Sequence, residues 1–538
     1  MAEATSTSTE GSGEELRGAG IGVTLPGGRR ILQPASLLIA PGSFTALLGA
    51  SGSGKTTLLK VLAGVMDATE GTASLGDAPA AARVADLGYV PQRETVHERL
   101  TVREALRYAA LLRLDPDGGP PVDEVVEDVL HELDLTAVAE TQIRLVSGGE
   151  RRRAACGLEL VGRPRVLLLD EPTSGLDPVL ERRLMAMFRR LADQGTAVVV
   201  VTHATASLDL CDTVAVLQDG ALVISGSPAE AVEFLGAVAR DAAGRDSAEA
   251  AEFSGAGPGR RGATVRPLGL ELRVLVGRYV RTLLRDRRTL AVLLGQAPII
   301  GLLIGVLFEP HALRRPDGQP GDAIQLVFLV MTGSIWLGIT AACREVVKER
   351  GILEREFDVG LRLDAYILAK AAVLGVLSAV QVLLMVAVVV ALQPLDVPAS
   401  SVLTFAGLAV LVAWVSVALG LAVSAAARSV DQAAGAVPVL LIPQLLFAGA
   451  LVPVDRMPRL IGAVADLTYA RWAYAAMGSS VDLGDRLTGA SGAAQVLGFG
   501  GDFFRLRPGA GALALVLFGV LILLLAVVLL YRRATLDA

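Results

Sequence analysis

Six long apolar stretches occupy most of the chain beyond residue 289. Each is close to the ~20 residues that an α-helix needs to cross the hydrocarbon core of a bilayer. A buried helix of a soluble domain could account for one such stretch, but not for six in the same half of a chain. The sequence therefore predicts an all-α transmembrane domain of six spans, at residues 290–308, 324–342, 371–392, 402–427, 434–454 and 512–531.

The loops between these spans differ in charge. The connection after the second span, residues 343–370, is rich in arginine and lysine, whereas residues 393–401 after the third span contain neither. Because positively charged loops stay on the cytosolic side, we expect residues 343–370 and both chain ends in the cytosol. The spans as drawn contain no Asp, Glu, Lys, Arg or His, which argues against an ion-driven pump and leaves the N-terminal half as the energy source.

The composition fits a chain with two different halves. Of 538 residues, 52% are apolar, too many for a wholly soluble protein, and 19% are charged, too many for a wholly embedded one. The net charge of -6 argues against a nucleic-acid partner, which would require a basic domain. Only four of the 49 basic residues are lysines, a bias typical of GC-rich bacterial genomes. The three cysteines lack metal-site spacing and are expected to be reduced.

The N-terminal half is predicted to be an α/β domain over residues 20–240. It alternates helical stretches with short runs that are apolar throughout, the pattern of parallel strands covered on both faces by helices, at 44–48, 166–169 and 197–201.

Three further segments complete the predicted organisation. Residues 1–19 are expected to be a disordered tail, and residues 241–266, rich in Ala, Gly, Arg and Pro without apolar periodicity, a linker. The membrane domain then covers 267–538 and begins with an amphipathic interfacial helix at 268–288.

The segment GASGSGKT, residues 49–56, matches the phosphate-loop pattern G-x-x-x-x-G-K-[ST] between a strand and a helix. In this pattern backbone N–H groups cradle phosphate oxygens, Lys55 reaches the β and γ phosphates, and Thr56 can ligate Mg²⁺. The sequence therefore predicts a site for ATP and Mg²⁺. Its phosphate-binding residues are Gly49, Ser51, Gly52, Ser53, Gly54, Lys55, Thr56 and Thr57.

Polar residues after two later strands supply further nucleotide chemistry. Asp170 ends the apolar run VLLLD and is predicted to hold Mg²⁺, while Glu171 is the candidate general base that orients the attacking water. His203 follows the run AVVVVT, where its imidazole could reach the γ phosphate. A single histidine is more often structural, but the position at a strand end favours a catalytic role.

The loop LVSGGERRR, residues 145–153, resembles the signature loop of ATP-binding cassette (ABC) proteins. In that family the loop binds the γ phosphate of the nucleotide held by the opposite subunit, which implies that Ser147, Gly148 and Gly149 act in trans. Gln92 in GYVPQ resembles the Q-loop, with a catalytic and Mg²⁺-binding role, Asp177 in SGLD resembles the D-loop, and His203 the switch histidine. The chain departs from the family at residues 23–25, where no aromatic is available to stack on adenine.

The fold expected is therefore an α/β P-loop NTPase of the ABC type followed by an all-α six-helix transmembrane domain. This order resembles a half-transporter of the G-type (White) family with an ABC-2-type membrane domain. Three local stretches carry the resemblance: LTVREALRYAALLRL at 100–114, KERGILERE at 348–356 and LFAGALVPVDRMP at 446–458.

The resemblance also implies how the two halves communicate and where a solute binds. Residues 268–288 would be the connecting helix, and Glu349, Arg350, Arg355 and Glu356 would pass cassette movement to the membrane domain; a solvated ion-pair cluster is the alternative reading. The second and fifth spans would line the solute cavity, although each candidate could instead face lipid or the helix bundle. The candidates are Thr332, Trp336, Gln444 and Phe447.

One phosphate loop and one signature loop cannot complete an ATP site alone, so the partner is expected to be a second copy of the chain or a similar half-transporter. Residues 455–511 contain no cysteine, so this dimer would be noncovalent. The resemblance implies ATP-driven export of a hydrophobic or amphiphilic small molecule, such as a lipid or natural product, across a bacterial cytoplasmic membrane and in contact with its lipids. A lipid translocase, an importer or a non-transporting signalling complex are the alternatives.

Overall fold

The computed structural model describes residues 14–116, 118–203, 205–241, 267–308, 320–394, 397–485 and 503–536. The chain forms two compact units. The first contains residues 1–267, 351–361 and 534–538, and the second contains 268–350 and 362–533. The predicted membrane domain 267–538 is therefore interrupted, because residues 351–361 belong with the N-terminal unit. The predicted linker lies outside the described residues, except Asp241, which ends a helix.

The described residues of the first unit form ten strands. They are β1 Leu16–Thr24, β2 Arg30–Ile39, β3 Phe44–Gly49, β4 Glu70–Leu75, β5 Ala78–Pro79, β6 Leu87–Val90, β7 Val166–Asp170, β8 Ala197–Val201, β9 Thr213–Gln218 and β10 Ala221–Gly226.

The helices of the described residues are numbered in sequence order. They are α1 Lys55–Leu62, α2 Val102–Arg113, α3 Val122–Glu132, α4 Gly148–Leu160, α5 Pro178–Asp193, α6 Pro228–Asp241, α7 Leu268–Arg285, α8 Arg287–Leu307, α9 Pro320–Ala342, α10 Arg350–Asp358, α11 Leu363–Leu392, α12 Ala399–Ala426, α13 Val430–Phe447, α14 Arg459–Asp466, α15 Tyr469–Ser480 and α16 Pro508–Leu536.

The central sheet of the first unit has the order β10-β9-β3-β8-β7-β6. Strands β9, β3, β8, β7 and β6 run parallel, and β10 is antiparallel to β9. All residues of β7 and β8 are buried, as expected for strands covered by helices on both faces. The predicted α/β fold is confirmed. Because parallel strands end at the same edge of a sheet, the residues that follow β3, β6, β7 and β8 share one edge.

A second, antiparallel sheet of order β2-β1-β4-β5 was not predicted. Its first strand starts at Leu16, so the predicted tail 1–19 is wrong over its last residues; residues 1–13 lie outside the described part. Leu16 is fully buried and packs in one apolar cluster with Ile21 and Leu32. The polar composition of the tail hid this strand, because only Leu16 marks its start.

Within the described part of the second unit, six helices are long and apolar enough to cross a membrane: α8, α9, α11, α12, α13 and α16. Helices α9 and α12 approach closely at glycines, since a Cβ at Gly338 would clash with the backbone carbonyl oxygen of Ala413. Small residues permit such contacts between membrane helices. Two buried tyrosines of α15 add polar links, Tyr469 to the Ser416 hydroxyl (2.9 Å) and Tyr474 to the Ile324 carbonyl oxygen (3.1 Å).

Several helix limits differ from the predicted ones. Helix α7 ends at Arg285 rather than 288, because Asp286 caps α8 through the Thr289 N–H. Helix α13 ends at Phe447, seven residues before the predicted end of the fifth span, and the chain turns at Gly449 with a φ of 94°.

Helix α11 differs most in its chemistry. It begins at Leu363, so it includes Lys370, which stands just before the predicted span and is 2% exposed. The predicted span 371–392 contains no charged residue, but the helix that carries it extends further and includes one. A hydropathy pattern starts a predicted span after the nearest charged residue, here Lys370. The helix nevertheless includes Lys370, because its amine is paired inside the unit, 2.6 Å from a carboxylate oxygen of Glu349.

Candidate nucleotide site

The phosphate loop lies between the end of β3 and the start of α1, as predicted. Gly52 and Gly54 have φ values of 78° and 95°, which favour glycine. Gly49 is required for space, because a Cβ there would clash with the Leu217 carbonyl oxygen. The buried Ser53 hydroxyl has no hydrogen-bond partner among the described residues. These features form a cradle of backbone N–H groups at a helix N-terminus, suited to phosphate.

Lys55 folds back over this loop. Its ammonium donates to the carbonyl oxygens of Gly49 (2.9 Å) and Ala50 (2.8 Å). Burial lowers the pKa of Lys55, while the nearby carboxylates of Glu171 and Asp170 act in the opposite direction. The amine is therefore held at the loop by neutral acceptors that phosphate oxygens can replace.

Two residues at the sheet edge fit a magnesium ion. The Thr56 hydroxyl donates to a carboxylate oxygen of Asp170 at 3.1 Å, which brings together two hard oxygen ligands beside the phosphate loop. Burial raises the pKa of Asp170, the Thr56 hydrogen bond opposes this shift, and the neighbouring Glu171 charge adds to it. A divalent cation would favour the ionised form of Asp170, so the pair fits Mg²⁺.

The three predicted catalytic residues meet at Glu171. The Gln92 side-chain amide donates to one carboxylate oxygen of Glu171 at 2.9 Å, and His203 Nε2 lies 2.9 Å from the other. They come from three chain segments, after β6, β7 and β8, which end at the same edge of the sheet. Glu171 has a φ of 50°, a left-handed conformation that a residue other than glycine rarely adopts.

The signature loop lies at the N-terminus of α4. Ser147 caps this helix in a reciprocal arrangement: its hydroxyl accepts from the Glu150 N–H, and the Glu150 carboxylate accepts from the Ser147 N–H at 2.8 Å. The Ser147 hydroxyl also donates to the Glu150 carboxylate at 2.7 Å, and this hydrogen bond, together with that from the Ser147 N–H, lowers the pKa of Glu150. Cβ positions at Gly148 and Gly149 would meet open space. The loop therefore presents a free helix N-terminus suited to an anion, as the resemblance implies.

Asp177, predicted to bind nucleotide, is the N-cap of α5 in this structure. Its carboxylate accepts from the backbone N–H groups of Val179 (2.9 Å) and Leu180 (3.1 Å). The side chain is exposed, so its role at the nucleotide stays a prediction.

The four predicted coupling residues stand on both sides of the boundary between the two units. In the second unit, the Glu349 carboxylate contacts Lys370 and accepts from the Tyr366 hydroxyl at 3.0 Å. In the first unit, Arg355 donates to the Thr95 carbonyl oxygen at 2.7 Å. The boundary between the units falls between Arg350 and Gly351, so Glu349 and Arg350 are assigned to the second unit and Arg355 and Glu356 to the first. Glu349 and Glu356 are buried, which does not fit the solvated ion-pair alternative for these two residues, and the coupling role of all four stays a prediction.

The sequence did not reveal a buried ion pair, between Arg113 and Glu159, that lies close to Arg355. Glu159 on α4 is 1% exposed, and its two carboxylate oxygens accept from both terminal nitrogens of Arg113 at 2.7 and 2.8 Å. Arg355 Nε lies 3.8 Å from the same carboxylate. No motif signals this contact, because its partners are 46 and 196 residues apart in sequence and meet only in the folded unit.

The four candidate solute residues lie on α9 and α13, which pack together through Ile339, Cys343 and Val437. Trp336 is 41% exposed. The Thr332 hydroxyl is buried, and the Gln444 side-chain oxygen already accepts from the Ala470 N–H at 3.2 Å. Trp336 is therefore the most accessible of the four, together with the partly exposed Phe447.

Comparisons with known proteins agree with this architecture. The ABC transporter family model matches residues 32–174, and the ABC-2 type transporter model matches residues 270–480. An ABC transporter ATP-binding/permease protein of Mycobacterium tuberculosis is 35% identical over 503 residues, which cover 86% of this chain and 57% of that protein.

Two proteins of Arabidopsis thaliana extend the comparison. ABC transporter G family member 21 is 39% identical over 39% of this chain and 33% of its own length. ABC transporter G family member 4 is 29% identical over 80% of this chain and 79% of its own length. The chain thus spans a third to just over half of the length of the two more identical relatives.

A P-loop domain with a Q-loop, a signature loop and a switch histidine, followed by a helical membrane domain, defines an ABC transporter. The cassette precedes the ABC-2-type domain, and two relatives that match 80% and 83% of this chain are ABC transporter G family members of Arabidopsis thaliana. The chain therefore has the domains of an ABC transporter with an ABC-2-type membrane domain, in the order cassette first, and its relatives include ABC transporter G family members.

Proposed function

We propose that this chain is an ATP-driven exporter subunit that works as a dimer and moves a hydrophobic or amphiphilic solute across a bacterial cytoplasmic membrane. Its cassette and both ends would lie in the cytosol. The observation that carries the ATPase part is the convergence of Gln92 and His203 on Glu171, at the sheet edge that also bears the phosphate loop. The six apolar helices support the membrane part.

ATP hydrolysis follows from this geometry. The phosphate-loop N–H groups hold the phosphates, and Lys55 exchanges its carbonyl partners for β- and γ-phosphate oxygens. Thr56, Asp170 and Gln92 would hold Mg²⁺, which neutralises phosphate charge. Glu171 accepts a proton from water as the water oxygen bonds to the γ phosphorus and the bridging bond to ADP breaks. His203, which contacts the carboxylate oxygen of Glu171 that Gln92 does not, would reach the γ phosphate.

The cassette surface supports a dimer. Leu145, the first residue of the signature loop, and Val179, two residues after Asp177, are each 64% exposed, and Leu180 is 41% exposed. Exposed apolar side chains next to functional polar loops are typical of a surface that a partner covers. A second cassette seated here would bring its nucleotide to Ser147 and to the open N-terminus of α4. Each of the two sites would then contain residues from both chains.

Helix α4 provides a route from that nucleotide to the transmembrane segments. Its N-terminus carries Ser147, and near its other end Glu159 contacts Arg113 and approaches Arg355 of α10. Helix α10 also lies against the segment after Gln92, since a Cβ at Gly351 would stand 3.0 Å from Thr95 Cγ2. Only four residues separate α10 from the transmembrane helix α11, so movement of α10 would pull on that helix.

The membrane helices favour an apolar solute. Only Ala433 and Val437 of α13 are buried within the chain, so most of this apolar helix is open to a partner subunit, lipid or solute. Trp336 is exposed on neighbouring α9. A cavity between two such subunits would be uncharged and mainly aliphatic, with aromatic surface at Trp336. These properties suit a lipid or natural product better than an ion or free sugar.

The test uses inside-out membrane vesicles that contain the wild type or Glu171→Gln, incubated with a lipid and metabolite extract of the source bacterium. We expect untargeted mass spectrometry to find a species that accumulates with ATP only in wild-type vesicles. ATP binding should persist in the variant, because the carboxylate is not part of the phosphate cradle. Hydrolysis without accumulation would contradict export and favour lipid flipping, import or a signalling role.

A further inference from the structure

The backbone at Glu171 is held in an unfavourable conformation. Its φ of 50° is rare for a residue with a side chain, and the following Pro172 favours an extended conformation at position 171. The local sequence alone would therefore let this residue relax, and its carboxylate would leave Gln92 and His203. Contacts from elsewhere in the cassette must keep it in place.

Arg152 supplies such a contact. Its guanidinium nitrogen Nη1 donates to the carbonyl oxygens of Glu171 (3.1 Å) and Pro172 (3.0 Å), so it holds both peptide units that follow the strained residue. The Nε of the same side chain donates to the Glu94 carboxylate at 3.3 Å. Glu94 stands two residues after Gln92, and the side chains of Arg152 and Glu94 are 21% and 23% exposed.

Arg152 lies on α4, five residues after Ser147. A rigid helix rises 1.5 Å per residue, so Arg152 is less than two turns from the signature serine. A displacement of the helix N-terminus is therefore transmitted to the guanidinium and, through its two hydrogen bonds, to the backbone of Glu171. The neighbouring Arg153 points elsewhere, to the Leu133 carbonyl oxygen (3.0 Å) and Asp134.

We propose that Arg152 is a positioning residue that sets the catalytic carboxylate of Glu171 according to the position of the signature helix. Nucleotide engaged by Ser147 of one cassette would in this way control the base that serves the other nucleotide of the dimer. The inference rests on the proposed role of Glu171 as general base.

The experiment compares full-length Arg152→Gln, Arg152→Lys, Arg153→Gln and Glu171→Gln with the wild type in detergent or liposomes. Phosphate release against ATP concentration gives kcat and KM, and binding of a fluorescent ATP analogue gives affinity without turnover. We expect Arg152→Gln to lower kcat about 100-fold, as displacement of a catalytic group by ~1 Å can do, while KM and affinity change less than about twofold. Arg153→Gln, with the same loss of charge on the same helix, should stay within about threefold of wild type.

Arg152→Lys is the conservative variant that separates a loss of positioning from a folding defect. It keeps the positive charge beside Glu94 and one N–H donor group, so the cassette should fold as in the wild type. We expect a kcat between those of the wild type and Arg152→Gln. If Glu171→Gln is inactive but Arg152→Gln and Arg152→Lys turn over like the wild type, the positioning role is refuted and the base assignment stands. A raised KM at unchanged kcat would also refute it. Wild-type turnover by Glu171→Gln would instead overturn the proposed base, and the role of Arg152 with it.

Discussion

Replacement of Arg113 by methionine tests the buried ion pair at the far end of α4. Glu159 is 1% exposed and Arg113 12%, and the two side chains meet through two short hydrogen bonds. Without the guanidinium the carboxylate stays buried, and the cation that the described residues leave beside it is Arg355, at 3.8 Å. Removal of one partner of a buried ion pair costs about 3–5 kcal/mol of unfolding free energy. At about 2–4 °C per kcal/mol, the cassette Tm should fall by about 6–20 °C.

Arg163→Met is the matched control. Arg163 pairs with Asp128 at 3.2 Å, but these side chains are 53% and 59% exposed. An exposed pair contributes about 0.2–1 kcal/mol, so the same substitution should lower Tm by less than about 4 °C. A double variant, Arg113→Met with Glu159→Met, should regain much of the lost stability, because no unpaired carboxylate is then buried.

Calorimetry on the full chain is the suitable assay. The three tryptophans, Trp336, Trp414 and Trp472, all lie in the second unit, so tryptophan fluorescence does not report on the cassette. The cassette transition is identified as the one that ATP with Mg²⁺ shifts to higher temperature. If Arg113→Met shifts that transition no more than Arg163→Met, Glu159 is not isolated from water and the reasoning is refuted.

Two further predictions concern coupling and pH. Glu349→Ala leaves the buried Lys370 without its closest carboxylate, and we expect ATP hydrolysis to continue while ATP-dependent solute accumulation in vesicles is lost; unchanged accumulation would remove Glu349 from the coupling path. Burial raises the pKa of Asp170, and only its ionised form binds Mg²⁺ well. Acidification through this raised pKa should therefore increase the Mg²⁺ concentration needed for half-maximal ATPase activity, at a higher pH than an ordinary aspartate would; a Mg²⁺ requirement unchanged down to the usual aspartate pKa would contradict this.

The features that depend on residues close together in the sequence could be predicted without a structure. A glycine-rich loop between an apolar strand and a helix makes a phosphate cradle wherever it folds, and runs of ~20 apolar residues are long enough to span a bilayer. The positions of Glu171 and His203 after predicted strands were also enough to predict that these residues lie close together, because parallel strands end at the same edge of a sheet. For this reason the predicted catalytic residues meet in the structure.

Contacts between segments that are far apart in the sequence could be found only in the tertiary structure. The assignment of residues 351–361 to the first unit, the burial of Lys370 inside α11 and the pairing of Arg113 with Glu159 depend on partners far away in sequence. The positive φ of Glu171 could not be predicted either, because the backbone preferences of Glu171 before Pro172 oppose it. Hydrogen bonds from the distant Arg152 support this conformation. Charges far apart in sequence can be brought together and buried only by a complete fold, so no local pattern can reveal them.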